Sequence, residues 1–126
     1  MENNNMKNLI KNVLVCILVI IAFVVVAKPT TSVDASVKSN KHVVYRIAKQ
    51  NYNWGKTQTK YLNKIIKRES GWNRHARNGR YYGLFQTTNV VDRSVSGQAR
   101  QGLRYIANRY GTPYRAWLHT QRTGWY

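Results

Sequence analysis

Acidic side chains are nearly missing from this chain. Four Asp and Glu stand against 21 Lys and Arg, a formal charge of +17 in 126 residues. So few carboxylates leave no acidic cluster for a metal, and His42, His75 and His119 stand far apart without paired Cys or carboxylate spacing. Neither metal nor cofactor is expected. Cysteine occurs once, at Cys16, so no disulfide framework is available. No Ser-His-Asp order and no glycine-rich phosphate loop stands out. What the charge does require is an anionic partner, bound more weakly as salt rises.

The one long apolar run, Val13 to Ala27, follows Lys7 and Lys11 and is 15 residues long. A bilayer crossing takes about 20 residues. A cationic start, an apolar middle and a small-residue exit are the pattern of a secretory signal. Residues 1–35 are therefore expected to be an export segment, cut after Ala35 or after Ala27, with an uncleaved anchor as the alternative. Without them, 18 basic residues remain against Glu69 and Asp92, a charge of +16 over 91 residues with no thiol. A small exported domain without disulfides needs a compact core, and four Trp and nine Tyr can supply one. Export without cysteine fits a Gram-positive bacterium, with the product secreted or held at the wall. Outside the membrane, wall polymers, anionic lipid and peptidoglycan are the acidic targets met first. Nucleic acid is not expected, because no aromatic and basic array stands outside the cleft described below. The high charge favours a monomer.

Residues 36–53 read as a linker and an N-terminal helix, with 28–41 as linker composition and Val43, Ile47 and Ala48 on one helical face. Residues 54–126 read as the main domain. In "KTQTKYLNKIIKRES", Tyr61, Leu62, Ile65 and Ile66 fall at i, i+3 and i+4, which predicts an amphipathic helix. "ARNGRYYGLFQ" carries Asn-Gly between short aromatic runs and predicts a β-hairpin over 77–86. A polar loop over 87–98 leads to helical spacing through Leu103, Ile106, Ala107 and Tyr110, stopped by Gly111. Thr112 then caps a last helix with Pro113 in its first turn and Tyr114, Trp117 and Leu118 as its inner stripe. The fold class is α+β, predominantly α, with a cleft where helix and hairpin meet.

Glu69 continues the stripe of Leu62, Ile65 and Ile66. A carboxylate on the apolar side of a helix is partly desolvated, which raises its pKa and suits a proton donor at neutral pH. The opposing reading is a Glu that reaches out to pair with Arg68, Arg74 or Arg77, whose charges favour the ionised form. A protonated Glu heading a polar slot lined with aromatic rings is what glycosidic bond cleavage needs, since the acid protonates the leaving oxygen while ring faces stack on sugars.

The stretch "RESGWNRHARNGRYYGLFQ" resembles the Glu-Ser and Gly-Leu-Met-Gln motifs of soluble-type lytic transglycosylases of the lysozyme-like superfamily. "GLRYIANRYGTPYRAWLHTQRTGWY" is similar to the C-terminal half of small secreted Gram-positive versions, including the C-terminal domains of aggregation-promoting factors. The similarity runs from about Trp54 to Tyr126. It implies a lysozyme-like domain with a small hairpin beside the catalytic helix, and cleavage of the β-1,4 bond between N-acetylmuramic acid and N-acetylglucosamine in peptidoglycan glycan strands. By resemblance Glu69 is the catalytic acid/base and Ser70 helps orient substrate. Tyr82, Gln86, Tyr105 and Trp117 are the further candidate sugar contacts. Phe85 replaces the motif's Met, an apolar exchange. The third family motif, Ala-Tyr-Asn-Ala-Gly, is matched only by Ala116 and Trp117. Trp72, Trp117 and Trp125 can stack on sugars, although a Trp in so small a domain is more often core.

A hydrolase with two carboxylates needs a partner for Glu69, and Asp92 is the one acidic residue left. Without it, one Glu serves first as acid and then as base, and the muramic 6-hydroxyl attacks to give a 1,6-anhydro product. A hydrolytic muramidase is the near alternative. A weakly catalytic cationic wall-binding or aggregation-promoting protein is another, and a cationic membrane-active protein needs no Glu.

Overall fold

The computed structural model describes residues 31–126. The apolar run and Cys16 lie outside them. Four helices and one two-stranded antiparallel sheet make up the described chain, so it is mostly α with a minor β part. None of these helices is long and apolar enough to cross a membrane.

Helix α1 spans Thr31–Tyr52. It corrects the linker reading of 28–41, because the helix already runs from residue 31. Polar composition hides a stripe of Val37, Asn40, Val44, Ile47 and Ala48, in which Val44 and Ala48 are fully buried. Asn40 can be buried there because its Nδ2 donates to Trp72 O at 3.1 Å. Residues 32–36 are exposed, so the first turns add little to the core. Asn53, at φ 54°, ends the helix in the left-handed conformation, its N–H bonded to Lys49 O at 3.0 Å.

Helix α2, Lys56–Ser70, buries Leu62, Ile65 and Ile66 as their spacing predicts. It stops abruptly at Gly71 (φ 58°) and Trp72 (φ 65°), two successive left-handed residues. Trp72 tolerates this because it is locked in the core, 3% exposed. Its Nε1 donates to Asn63 Oδ1 at 3.0 Å, and Tyr45 meets its ring edge-on at 5.8 Å. Trp72 is thus a core residue and no sugar platform.

Strands β1 (Arg77–Asn78) and β2 (Tyr81–Tyr82) pair Arg77 with Tyr82 and Asn78 with Tyr81. The hairpin is shorter than 77–86, and its two-residue turn is Gly79-Arg80, one position beyond Asn-Gly. Gly79 takes φ 57° at the first turn position while Arg80 stays at negative φ, the sign pattern of a type II′ turn. A second tight turn follows, closed by Gln86 N–H to Gly83 O at 3.2 Å.

Helix α3, Val95–Tyr110, starts inside the stretch expected as loop. The polar loop ends at Ser94, whose Oγ accepts the Gly97 N–H at 3.0 Å and caps the helix. Gly111 stops it as expected. Helix α4, Pro113–Thr123, has Thr112 as its N-cap and Pro113 in its first turn, also as expected. Its inner stripe is different: Pro113, Ala116 and Thr120 are buried, while Tyr114 and Leu118 are 42% and 38% exposed. Helix α4 packs against α2 and α3, and small side chains permit that close approach where aromatic rings do not. The ring of Tyr114 lies instead 4.9 Å from that of Tyr61.

Candidate active site

Glu69 sits in the last turn of α2, one turn beyond Ile65 and Ile66, where the stripe leaves the core and meets a cleft of about 1210 Å³. Three further elements close this cleft. The hairpin and the turn after it supply Asn78, Arg80, Tyr81 and Phe85 to Thr88, α3 supplies a polar stripe, and Gly124, Trp125 and Tyr126 form the remaining wall.

These walls are tied to one another by hydrogen bonds. Ser70 Oγ lies 3.1 Å from Ile66 O and 2.9 Å from Leu84 O, joining the end of α2 to the turn beside it. Arg68 donates to Gly124 O at 2.8 Å, and the Tyr126 hydroxyl donates to Phe85 O at 2.6 Å. The ring of Phe85 is fully buried and rests on Gly102, where a Cβ would overlap it.

Burial raises the Glu69 pKa above its ordinary value, and the Arg68 guanidinium offsets only part of that effect. Of the three arginines expected to oppose the shift, Arg68 alone acts; Arg74 is turned to His75, with Nε 2.9 Å from Nε2. A carboxylate at a helix C-terminus also faces the negative end of the macrodipole, which further disfavours its charged form. Tyr126 registers the same group from the other side. Its hydroxyl is held well above the usual phenol range, first by burial and then by the charge of Glu69.

Asp92 is placed elsewhere. It is exposed, does not line the cleft, and accepts the Ser94 N–H at 2.9 Å; the Ser94 bonds lower its pKa. Among the described residues, Glu69 is therefore the one acidic side chain that lines the cleft, and no group of three His, Cys, Asp or Glu is placed to hold a metal.

The other expected contacts divide. Gln86 and Tyr105 line the cleft with Glu69. Gln86 adopts φ 48° and its Nε2 donates to Ala76 O and Gly83 O at 3.1 and 2.9 Å, so its amide oxygen is the end left for a ligand. Ser70 does not line the cleft; its hydroxyl is engaged with backbone carbonyls, which makes it a positioning residue. Tyr82 is also outside the lining, with its hydroxyl 3.3 Å from His75 Nδ1 and its ring under Arg93 at 4.9 Å. Trp117 is outside as well, under Lys64 at 5.3 Å.

Of the α3 lining residues, Tyr105 was expected, whereas Gln101, Arg104 and Asn108 were missed in the sequence. Gln101, Arg104, Tyr105 and Asn108 stand at i, i+3, i+4 and i+7 on α3, a polar stripe beside the apolar one of Ala99, Leu103 and Ile106. That periodicity was available as a signal. Tyr81 and Trp125, 42% and 48% exposed, provide the open aromatic faces. Arg109 lies over the Trp125 ring at 5.0 Å.

No protein-family model matches the chain, and no curated protein or solved structure is significantly similar to it.

Proposed function

We propose that this chain is a peptidoglycan lytic transglycosylase with a lysozyme-like arrangement of helix, hairpin and cleft, exported and acting at the cell wall as a monomer. The observation that carries this reading is the isolation of Glu69: one carboxylic acid of raised pKa in a large open cleft, with Asp92 outside it. The motif resemblance around Glu69 and Gln86 supports it.

Protonated Glu69 gives its proton to the oxygen leaving C1 of the muramic residue, and the C1–O4 bond breaks. The resulting carboxylate then takes the proton of that residue's 6-hydroxyl as O6 bonds to C1. A 1,6-anhydro sugar forms, no water is consumed, and Glu69 ends protonated. Both proton transfers use one group, and burial raises its pKa toward the protonated form that the first step needs. Tyr81, Tyr105 and Trp125 supply ring faces for the sugars, and the Gln86 amide oxygen supplies an acceptor.

Mass analysis of fragments from purified peptidoglycan tests the reaction. Anhydro-muramyl ends are expected. Reducing ends, heavier by one water, would replace this reading with hydrolysis.

A binding protein on the same fold is the second reading. The partial match to the third motif favours it, since Ala116 is buried and Trp117 lies outside the cleft. Release of no fragment, with salt-sensitive binding to intact walls, would establish it.

A further inference from the structure

We propose that the cleft selects glycans bearing free carboxylates over neutral glycans of the same β-1,4 N-acetylhexosamine backbone, through the guanidinium groups of Arg68, Arg80, Arg104 and Arg109. This rests on the reading of the cleft as a glycan site, and it adds the charge of the sugars that site takes.

The lining holds four guanidinium groups against one acidic side chain, Glu69. A polar cleft for a neutral sugar needs amides, hydroxyls and rings, and Asn78, Gln86 and Gln101 already provide the amides here. Cations in that number add nothing for a neutral ligand. Three of the four are also held in place. Arg68 is bonded to Gly124 O at 2.8 Å, Arg109 lies over Trp125 at 5.0 Å, and Arg80 lies over Tyr81 at 5.8 Å. A guanidinium stacked on a ring keeps its edge free for a carboxylate. Arg104 is exposed on the α3 stripe beside Tyr105.

The distribution is local as well as global. A basic surface attracts any polyanion, whereas a concave lining of one sign focuses the field where the substrate lies. The chemistry that matches is a chain of N-acetylated sugars with a carboxylate on the ring substituents. The lactyl group of a muramic residue freed of its peptide is one such carboxylate.

Binding to the full exported chain carrying Glu69→Gln, which removes turnover, tests the proposal. The ligands are a peptide-free muramic/glucosamine hexasaccharide with free lactyl groups and the neutral N-acetylglucosamine hexasaccharide. The first is expected to bind about tenfold more tightly at low salt, a margin that narrows as salt screens the cleft. Arg80→Gln with Arg104→Gln should erase most of that margin and leave the neutral affinity in place. Both side chains are exposed, so the fold should be unaffected. Lys38→Gln with Lys56→Gln removes equal charge outside the cleft and should leave the margin unchanged. Equal affinity for the two sugars, binding of neither, or equal loss in both double variants would overturn the proposal. So would tighter binding of a single-stranded oligonucleotide than of the anionic sugar. Preferential binding in a chain that cuts nothing would support charge selection while removing the catalytic reading.

Discussion

Gln98 and Leu84 are joined by a buried hydrogen bond, the Gln98 side-chain oxygen accepting the Leu84 N–H at 2.8 Å. The nitrogen of the same amide donates to Arg74 O at 3.1 Å and to Arg93 O at 2.9 Å. One side chain, 2% exposed, therefore fastens the loop after α2, the turn beside Glu69 and the loop before α3. Gly83 makes room for it, since a Cβ there would overlap the amide oxygen.

Gln98→Ala removes all three bonds and leaves the buried Leu84 N–H without a partner. A stability loss of about 3 kcal/mol is expected, because a buried unsatisfied group costs more than a typical hydrogen bond contributes. Urea unfolding measures it. A loss under about 1 kcal/mol would show that water replaces the amide without cost.

Gly102 matters through Phe85. Gly102→Ala puts a methyl group into the space of the Phe85 ring and should destabilise the fold by about 1–3 kcal/mol despite the better helix propensity of Ala. Adding Phe85→Leu should recover part of that loss, which a double-mutant cycle reads directly. Simple additivity of the two changes would mean that ring and helix do not press on each other.

The raised Glu69 pKa also predicts how stability varies with pH. The folded chain holds this proton more tightly than the unfolded chain, whose carboxyl titrates near 4.5. The contribution of Glu69 is then fully present below that value and is lost as pH rises through the folded pKa. Glu69→Gln has no such loss, so its stability relative to the parent should climb with pH and then level off. Asp92, shifted the opposite way, is present in both chains and cancels. Thermal unfolding of the pair from about pH 4 to about pH 8 is the check. A flat difference would mean that folding leaves the Glu69 pKa unshifted, and one of opposite sign that the ionised carboxylate is the favoured form.

Much of this site was legible in the sequence, for specific reasons. The spacing of Leu62, Ile65 and Ile66 fixes which side of α2 is inward, and Glu69 inherits its position from it. Asn78-Gly79 announces a hairpin, although the turn falls one residue later. Composition misled elsewhere. Residues 31–41 look like linker because their inward stripe contains Asn40, whose burial depends on a carbonyl 32 residues away. Tyr114, Trp117 and Leu118 look like an inner face because they are large and apolar. Helix packing selected the small Ala116 and Thr120 instead, the latter with Oγ1 donating to Ala116 O at 2.9 Å. The displacement of Tyr82 and Trp117 from the cleft, and the presence of Arg104 and Asn108 in it, depend on how α3 and the hairpin face each other. No local pattern states that.

The most direct measurement is the rate at which soluble fragments leave purified peptidoglycan with the parent chain and with Glu69→Gln, each verified as folded. Release by the parent is expected, with a fall of about 10²–10⁴-fold in the variant, the range for loss of a general acid. Equal rates in the two chains would contradict it and remove Glu69 from the chemistry.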